Sequence, residues 1–206
     1  MKNKKRILSI YCKYIKRVLD IFFSAVLIFL LLPLMIFIAI AIKIDSRGSI
    51  IFRQQRMGRD GKTFICYKFR TMHRDAPPTM PAKLFLDSKK YVTRVGTFLR
   101  RSSLDELPQL FNVLLGTMSL VGPRPLICEE SEVHQMRCEA GIYALRPGLT
   151  GLAQVRGRNL LCDSEKIEND RIYLDNVRMI LDVKILAMTF GCIISGQGIV
   201  NANKKK

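Results

Sequence analysis

From Ile21 to Ile42 the chain carries no charged residue, and Ser24 is the only hydroxyl in the run. These 22 residues make a helix of roughly 33 Å, long enough to cross a bilayer core. A buried helix of a soluble domain is the competing reading, but too little chain remains to cover such a helix on all sides. The run exceeds the apolar region of a signal peptide, and Lys43-Ile44-Asp45-Ser46-Arg47 is no small-residue cleavage site. The segment is therefore expected to persist as a membrane element.

Its flanks bear on how it enters. Lys13, Lys16 and Arg17 precede the run, and Lys43, Arg47, Arg53 and Arg56 follow it. A spanning helix concentrates positive charge on one side, so two basic flanks fit a segment that enters and returns to the same face. Pro33 supplies a mechanism for the bend, since it removes one backbone hydrogen bond and clashes one turn back. An ordinary kink in a spanning helix is the other reading, and the flanks alone do not decide between them.

The charge of the whole chain points to anionic partners. Lys and Arg number 34 against 17 Asp and Glu, a formal net charge of +17. Nucleic acid, acidic lipid and phosphorylated substrates are the candidates. Six cysteines form no C-x-x-C pair and no zinc spacing, as expected of reduced thiols in a cytosol-facing body. With only His73 and His134 present, neither a His-based triad nor a His-rich metal site is expected.

Against this basic background, Ser102-Ser103-Leu104-Asp105-Glu106-Leu107-Pro108-Gln109-Leu110-Phe111-Asn112 places two adjacent carboxylates at the start of a helical pattern. Leu107, Leu110, Phe111, Leu114 and Leu115 make one apolar stripe at helical spacing, with Asp105, Gln109 and Asn112 on the opposite face. Ser103 and Glu106 match a capping box, Gly116 supplies a stop, and Pro108 predicts a kink or a delayed start. Taken alone, this is a capped surface helix with acids at its positive end.

Around it, Ser49 to Arg56 and Thr63 to Arg70 alternate about Arg59-Asp60-Gly61 and predict a basic hairpin carrying Arg53, Arg56, Lys62, Lys68 and Arg70. Residues 76–81 read as a loop, and Tyr91 to Arg101 leads into the acidic segment with Arg94, Arg100 and Arg101. In Gly122-Pro123-Arg124-Pro125 the prolines hold the backbone on both sides of Arg124, which suits a bidentate grip on phosphate. A solvated arginine on a stiff turn is the plain alternative. A second loop, Arg146-Pro147-Gly148-Leu149-Thr150-Gly151, precedes Arg156, Gly157 and Arg158; it lacks a Walker pattern and is weak by itself. Glu168 to about Ser195 reads as helix, its apolar last part suited to a membrane surface or a core, and Asn201 to Lys206 is a basic tail suited to acidic headgroups.

The order of these pieces carries a resemblance. Lys16-Arg17-Val18-Leu19-Asp20, the apolar run with Pro33, Gln55-Arg56-Met57-Gly58, Tyr67-Lys68-Phe69-Arg70-Thr71-Met72, Leu104-Asp105-Glu106-Leu107-Pro108-Gln109, Met118-Ser119-Leu120-Val121-Gly122-Pro123-Arg124-Pro125 and Arg146-Pro147-Gly148-Leu149-Thr150-Gly151 follow one another in register. Together they resemble the bacterial sugar transferases, the monotopic phosphoglycosyl transferases, from Lys16 to about Thr189. The chain looks like a minimal form without the extra N-terminal membrane helices of long members. Leu32 stands before Pro33 where many members have Ser, and Ser49 where Pro is frequent. Arg156 replaces a common Asn, and no Trp follows Asn159. The last two bear on which sugar is bound; none touches the dyad.

The resemblance implies an α+β, mostly helical fold in three parts. Residues 1–45 are a basic N-terminus and a re-entrant membrane helix broken near Pro33. Residues 46–195 are a catalytic domain with a small basic β-hairpin and amphipathic interfacial helices, on the cytoplasmic face of the bacterial plasma membrane. Residues 196–206 are a basic tail. It further implies transfer of a sugar-1-phosphate from a UDP-sugar to undecaprenyl phosphate through a covalent aspartyl-phosphosugar, releasing UMP, as the first membrane step of glycan synthesis. Asp105 takes the place of the nucleophile and Glu106 of the Mg²⁺ ligand. Arg124 and Arg146 are the expected phosphate clamps, with Lys68, Arg70, Arg100 and Arg158 as further candidates. Expected partners are a UDP-sugar, undecaprenyl phosphate, an anionic lipid membrane and, left open, a second copy in a homodimer. The alternative is a membrane-tethered basic nucleic-acid-binding protein. It has the charge in its favour, but aromatics are 8%, there is no Trp, and no RNP, helix-turn-helix or zinc module appears.

Overall fold

The computed structural model describes residues 10–76, 91–157 and 160–195. The tail at 196–206, Arg158 and most of the loop expected over residues 76–81 lie outside the described residues. Helix dominates, with two small two-stranded sheets.

Helix α1 (Lys16–Asp45) continues from a short π-helical turn at Tyr11–Ile15. Among the described residues it is the one helix long and apolar enough to cross a membrane. Pro33 lies inside this single element, where a break into two helices was expected. A proline removes one rung of the hydrogen-bond ladder and leaves the rungs on either side in place. Lys16, Asp20, Ser24, Met35, Ile38 and Ile42 are buried, and Ile28 and Leu31 are partly so. Steps of three and four residues put all eight on one face, along the whole helix and on both sides of Pro33. The opposite face is open: Phe22, Phe29, Leu30, Phe37 and Ile44 are between 60% and 83% exposed.

Polar anchors fix the first end of α1. Lys16 Nζ lies 2.5 Å from Asp182 Oδ2, an oxygen that also accepts from the Tyr11 hydroxyl at 2.7 Å, while Tyr173 donates to Asp182 Oδ1 at 2.6 Å. Asp20 accepts from the Leu120 amide at 3.0 Å. Arg17 donates to the carbonyls of Val113 and Leu114, close to a helix end where carbonyls remain open to side-chain donors. At the far end, Asp45 accepts from the Val95 amide at 3.0 Å, and the Thr93 side chain accepts from Gly96. Both bonds cap the start of α2 (Arg94–Ser102).

Strands β1 (Ile51–Met57) and β2 (Thr63–Phe69) form the expected antiparallel hairpin, with Ile51 opposite Phe69 and Met57 opposite Thr63. Its turn places Asp60 and Gly61 in the left-handed region, at φ 57° and 70°, which Asp and Gly tolerate best. Helix α3 (Gln109–Leu115) packs on β2 and α1, and β3 (Ser119–Val121) pairs in parallel with β4 (Gly148–Thr150). Between those strands lies α4 (Ser131–Glu139); α5 (Leu152–Arg156), α6 (Asp163–Asp175) and α7 (Met179–Ser195) follow.

The continuous helix expected from Glu168 to Ser195 is thus two helices. The Asn176 side chain donates to the Ile172 carbonyl and occupies the end of α6. Helix α7 turns Asp182 and Ile185 inward and leaves Ile180, Val183, Phe190 and Ile193 exposed. One core gathers Cys66, Leu110, Val113, Met118, Leu120, Tyr173 and Ile185, and a second gathers Met35, Ile38, Ile42, Phe69 and Leu99.

Candidate active site

The acidic segment owes its shape to Pro108. A helix begun at Leu104 would drive the proline ring into the carbonyl one turn back. Instead Ser103 turns left-handed at φ 58°, Leu104–Glu106 form a 3₁₀ turn, and Pro108 leads into α3. The delayed start is as expected. The capping box is not: the Ser103 side chain makes no capping hydrogen bond, and Glu106 faces cations.

Leu104 and Leu107 pack against the second core, and Leu110 is buried in the first, so apolar neighbours pin both sides of the two acids. The rest of the expected stripe holds only at the half-buried Leu114. Phe111 and Leu115 are exposed, whereas Gln109 and Asn112, placed on the polar face, are buried. Asn112 accepts from the Tyr67 amide at 3.0 Å and donates to the Ile65 carbonyl at 2.7 Å and to Thr117 Oγ1 at 3.1 Å. It docks α3 on the edge of β2 with both amide hydrogens and the oxygen engaged, as burial requires.

That docking brings Lys68, from β2, to Glu106. Lys68 Nζ lies 2.7 Å and Arg124 Nη2 3.1 Å from the same Glu106 Oε1. Glu106 in turn holds the Arg124 guanidinium more firmly protonated than usual. Asp105 differs from its neighbour: no hydrogen bond or ion pair among the described residues holds its carboxylate. Burial pushes the Asp105 carboxyl above the usual range and Glu106 adds to this, while Lys68, Arg100 and Arg124 pull the other way. Arg100 is positioned by a 2.8 Å bond from its Nε to Thr71 Oγ1.

The Pro-Arg-Pro loop is held at three successive carbonyls. Pro123 accepts from the Gly148 amide at 2.8 Å, Arg124 from Arg137 at 2.7 Å, and Pro125 from Arg56 at 3.0 Å. Arg137 also pairs with Asp170 at 2.7 Å, both nearly inaccessible. An uncompensated buried charge costs about 3–5 kcal/mol, so the two behave as one structural unit behind Arg124. The loop also needs glycine, because a Cβ on Gly148 would lie 2.1 Å from the Gly122 nitrogen.

The candidate residues therefore divide. Lys68, Glu106 and Arg124 come together around one crevice, which Arg56, Cys66, Gln109, Pro125 and Gly148 also line, and Asp105 and Arg100 lie close enough to these groups to be coupled by charge. Arg70 is used elsewhere: it donates to the carbonyls of Arg47 and Ser46 and to the Ser46 hydroxyl, tying the end of α1 to the hairpin. Arg146 donates to the Gly116 carbonyl and lines a separate cavity. Arg158 lies outside the described residues, and Pro33 sits within α1. Arg56 and Gln109 were not among the expected site residues. The signal was present in the Gln55-Arg56-Met57-Gly58 motif and in the glutamine after Pro108.

A carboxylate pair rimmed by three cations suits chemistry on a phosphate group, where charge must be neutralised more than bonds polarised. The comparisons with known proteins agree. The family model described as bacterial sugar transferase matches residues 11–196. The chain is 42% identical over 189 residues to a UDP-glucose:undecaprenyl-phosphate glucose-1-phosphate transferase of Caulobacter vibrioides, covering 87% of this chain and 70% of that protein. It is 38% identical over 197 residues to the exopolysaccharide production protein PSS of Rhizobium leguminosarum, covering 88% of this chain and 94% of that one. It is also 38% identical over 202 residues to an undecaprenyl-phosphate galactose phosphotransferase of Salmonella typhimurium, covering 90% of this chain but 42% of the relative. The chain thus spans less than half of some relatives and almost the whole of others. With the dyad, the Pro-Arg-Pro loop and the apolar helix all falling inside the matched residues, this chain belongs to the bacterial sugar transferase family.

Proposed function

We propose that this protein transfers a sugar-1-phosphate from a UDP-sugar to undecaprenyl phosphate, the first membrane step in making a bacterial glycan. The observation that carries the reading is the asymmetry of the dyad: Glu106 is held by Lys68 and Arg124, while Asp105 beside it is not so held. The substrates named for the Caulobacter and Salmonella relatives supply the substrate classes. A carboxylate with no hydrogen bond or ion pair to hold it among the described residues is the group that can attack. An oxygen of Asp105 bonds to the phosphorus that carries the sugar, the bond from that phosphorus to the UMP oxygen breaks, and UMP leaves. An oxygen of undecaprenyl phosphate then attacks the same phosphorus and breaks its bond to Asp105, giving undecaprenyl-diphosphate-sugar. Splitting the reaction keeps the two anionic substrates from having to meet. Arg124, Lys68 and Arg100 offset charge on the non-bridging oxygens.

Mg²⁺ fits this site. No group of three or more His, Cys, Asp or Glu side chains converges among the described residues, but Mg²⁺ is commonly bound by one or two carboxylates together with substrate phosphates. Glu106, with Asp105 adjacent, offers those hard oxygens. Bound there, the ion would neutralise diphosphate charge. The nucleic-acid alternative gains nothing from this site, where Lys68 and Arg124 converge on a carboxylate.

The test is UMP release across a panel of UDP-sugars. One sugar should give a stoichiometric burst of UMP without acceptor, turnover when undecaprenyl phosphate is added, and no release with EDTA. Absence of UMP from every sugar, together with retention on RNA or DNA at physiological salt, would overturn the reading.

The packing of α1 supports same-face insertion. Its inner stripe meets one body from Lys16 to Ile42, which favours both ends lying on the same side as the catalytic crevice. The outer face then enters lipid, the exposed face of α7 lies at the interface, and the crevice sits at headgroup depth on the cytoplasmic side. Single cysteines at Lys13 and Lys43, in a background without the native cysteines, should label from that same side. Labelling from opposite sides would establish a spanning helix instead.

A further inference from the structure

A second cavity among the described residues does not contain the dyad. It has a volume of about 290 Å³ and lies beside the first end of α1, lined by Lys13, Lys16, Arg17, Arg59 and Arg146, with Asp20 as its carboxylate. It shares no lining residue with the crevice that Glu106 lines. Elements far apart in sequence converge there: the π-helical turn and α1, the tip of the hairpin, and the loop before β4.

Charge in this cavity is not balanced. Lys16 is satisfied by Asp182, and Asp60 lies 3.5 Å from Arg59. Even so, cations outnumber carboxylates by two. Arg17 and Arg146 spend donors on carbonyls, which orient their guanidinium groups without neutralising them. Burial, then the proximity of Arg59 and Arg17, lowers the pKa of Arg146 from its usual value. Crowding of fixed cations around an open volume is the arrangement of an anion site, and arginine suits the phosphate group in particular.

We infer that this cavity binds the phosphate headgroup of an anionic membrane phospholipid. Position selects the ligand. The cavity lies where the apolar helix begins, lined by Lys13, Lys16 and Arg17, and the intervening and following Tyr14, Ile15 and Val18 are 57%, 48% and 65% exposed. The Lys13 ammonium lies 5.1 Å from the centre of the Tyr14 ring, and an aromatic with a basic neighbour is typical of the headgroup layer. At about 290 Å³ the space is at the small end of ligand cavities, the size of a headgroup rather than of a nucleotide sugar. A bound lipid would fix the angle at which the body meets the membrane, with its acyl chains lying along the outer face of α1. The inference rests on membrane insertion of α1, and its test separates the two.

The full-length protein is placed in vesicles of phosphatidylcholine alone or of phosphatidylcholine with phosphatidylglycerol, and the lipid that remains bound on release is read by native mass spectrometry. Phosphatidylglycerol should be retained in preference to phosphatidylcholine. The double variant Lys13→Gln/Arg59→Gln, at two exposed positions, should lose that preference about tenfold or more, since each basic residue near an anionic surface contributes substantially. It should still insert into phosphatidylcholine vesicles. The double variant Lys62→Gln/Arg94→Gln, also exposed and equal in charge change, should retain the preference. Equal loss in both double variants would reduce the effect to diffuse attraction and overturn the site. Thermal stabilisation by inorganic phosphate that depends on Lys13 and Arg59, without retained phosphatidylglycerol, would assign the cavity to a free phosphate and overturn the lipid. Failure of the wild type to insert into phosphatidylcholine would overturn the membrane reading with it.

Discussion

Asp105→Asn is expected to abolish sugar-dependent phosphorylation of the protein and to lower UMP release by roughly 10⁴-fold or more, the scale on which nucleophiles matter. The amide keeps the shape of the side chain, and the leucines on either side hold the segment, so the thermal midpoint should hardly move. Trapping a phosphosugar on any other residue of this variant, or on the wild type, would remove Asp105 from the role.

The wild-type rate should also report the state of Asp105. Burial and Glu106 raise its pKa above the ordinary carboxylate range. For an acid, that means the proton is held to higher pH than in the unfolded chain. Attack requires the ionised form, so the rate of the first UMP burst should rise with pH through the raised pKa. The acid limb should therefore lie above the position of an exposed aspartate. A limb at the ordinary value would mean that cations, not burial, set the charge on this group.

Legibility differed by element for physical reasons. The hairpin was legible because alternation and Asp60-Gly61 are local signals, and β1, β2 and their turn fall within a residue or two of expectation. The apolar helix was legible from its lack of charge. Its inner face was not, because burial of Lys16 depends on Asp182, 166 residues away in sequence. Asn112 was misplaced for a similar reason: an amide on a helix face reads as exposed until a strand edge is known to need its bonds. Among the phosphate candidates, Lys68 lies on a strand and Arg124 and Arg146 in loops, where periodicity does not say which way such side chains turn. Lys68 and Arg124 reach Glu106 because Asn112 and the three held carbonyls of the Pro-Arg-Pro loop fix their backbones. Arg146 is drawn aside by the Gly116 carbonyl, a contact with no trace in the local pattern.

Glu106→Gln should produce the second large effect, a loss in UMP release of roughly 10²- to 10³-fold, the size expected when a preorganised charge contact is removed. One oxygen of Glu106 accepts from both Lys68 and Arg124 in a largely buried setting. A neutral amide does not balance two cations there, so both are left to repel each other and to turn toward Asp105. Two consequences follow that a merely structural residue would not show. The Mg²⁺ concentration needed for half-maximal rate should rise, because a hard anionic ligand is gone. The acid limb of the first burst should move to lower pH, because Asp105 loses a neighbouring negative charge that raises its pKa and keeps the cations that lower it. The rate falls even though more Asp105 is ionised, since an aspartate neutralised by Lys68 and Arg124 is a poorer nucleophile and those cations no longer meet the diphosphate. If Glu106→Gln lowers only the thermal midpoint, with the Mg²⁺ requirement and the acid limb unchanged per folded molecule, Glu106 is a strut for Lys68 and Arg124 and takes no part in holding the ion.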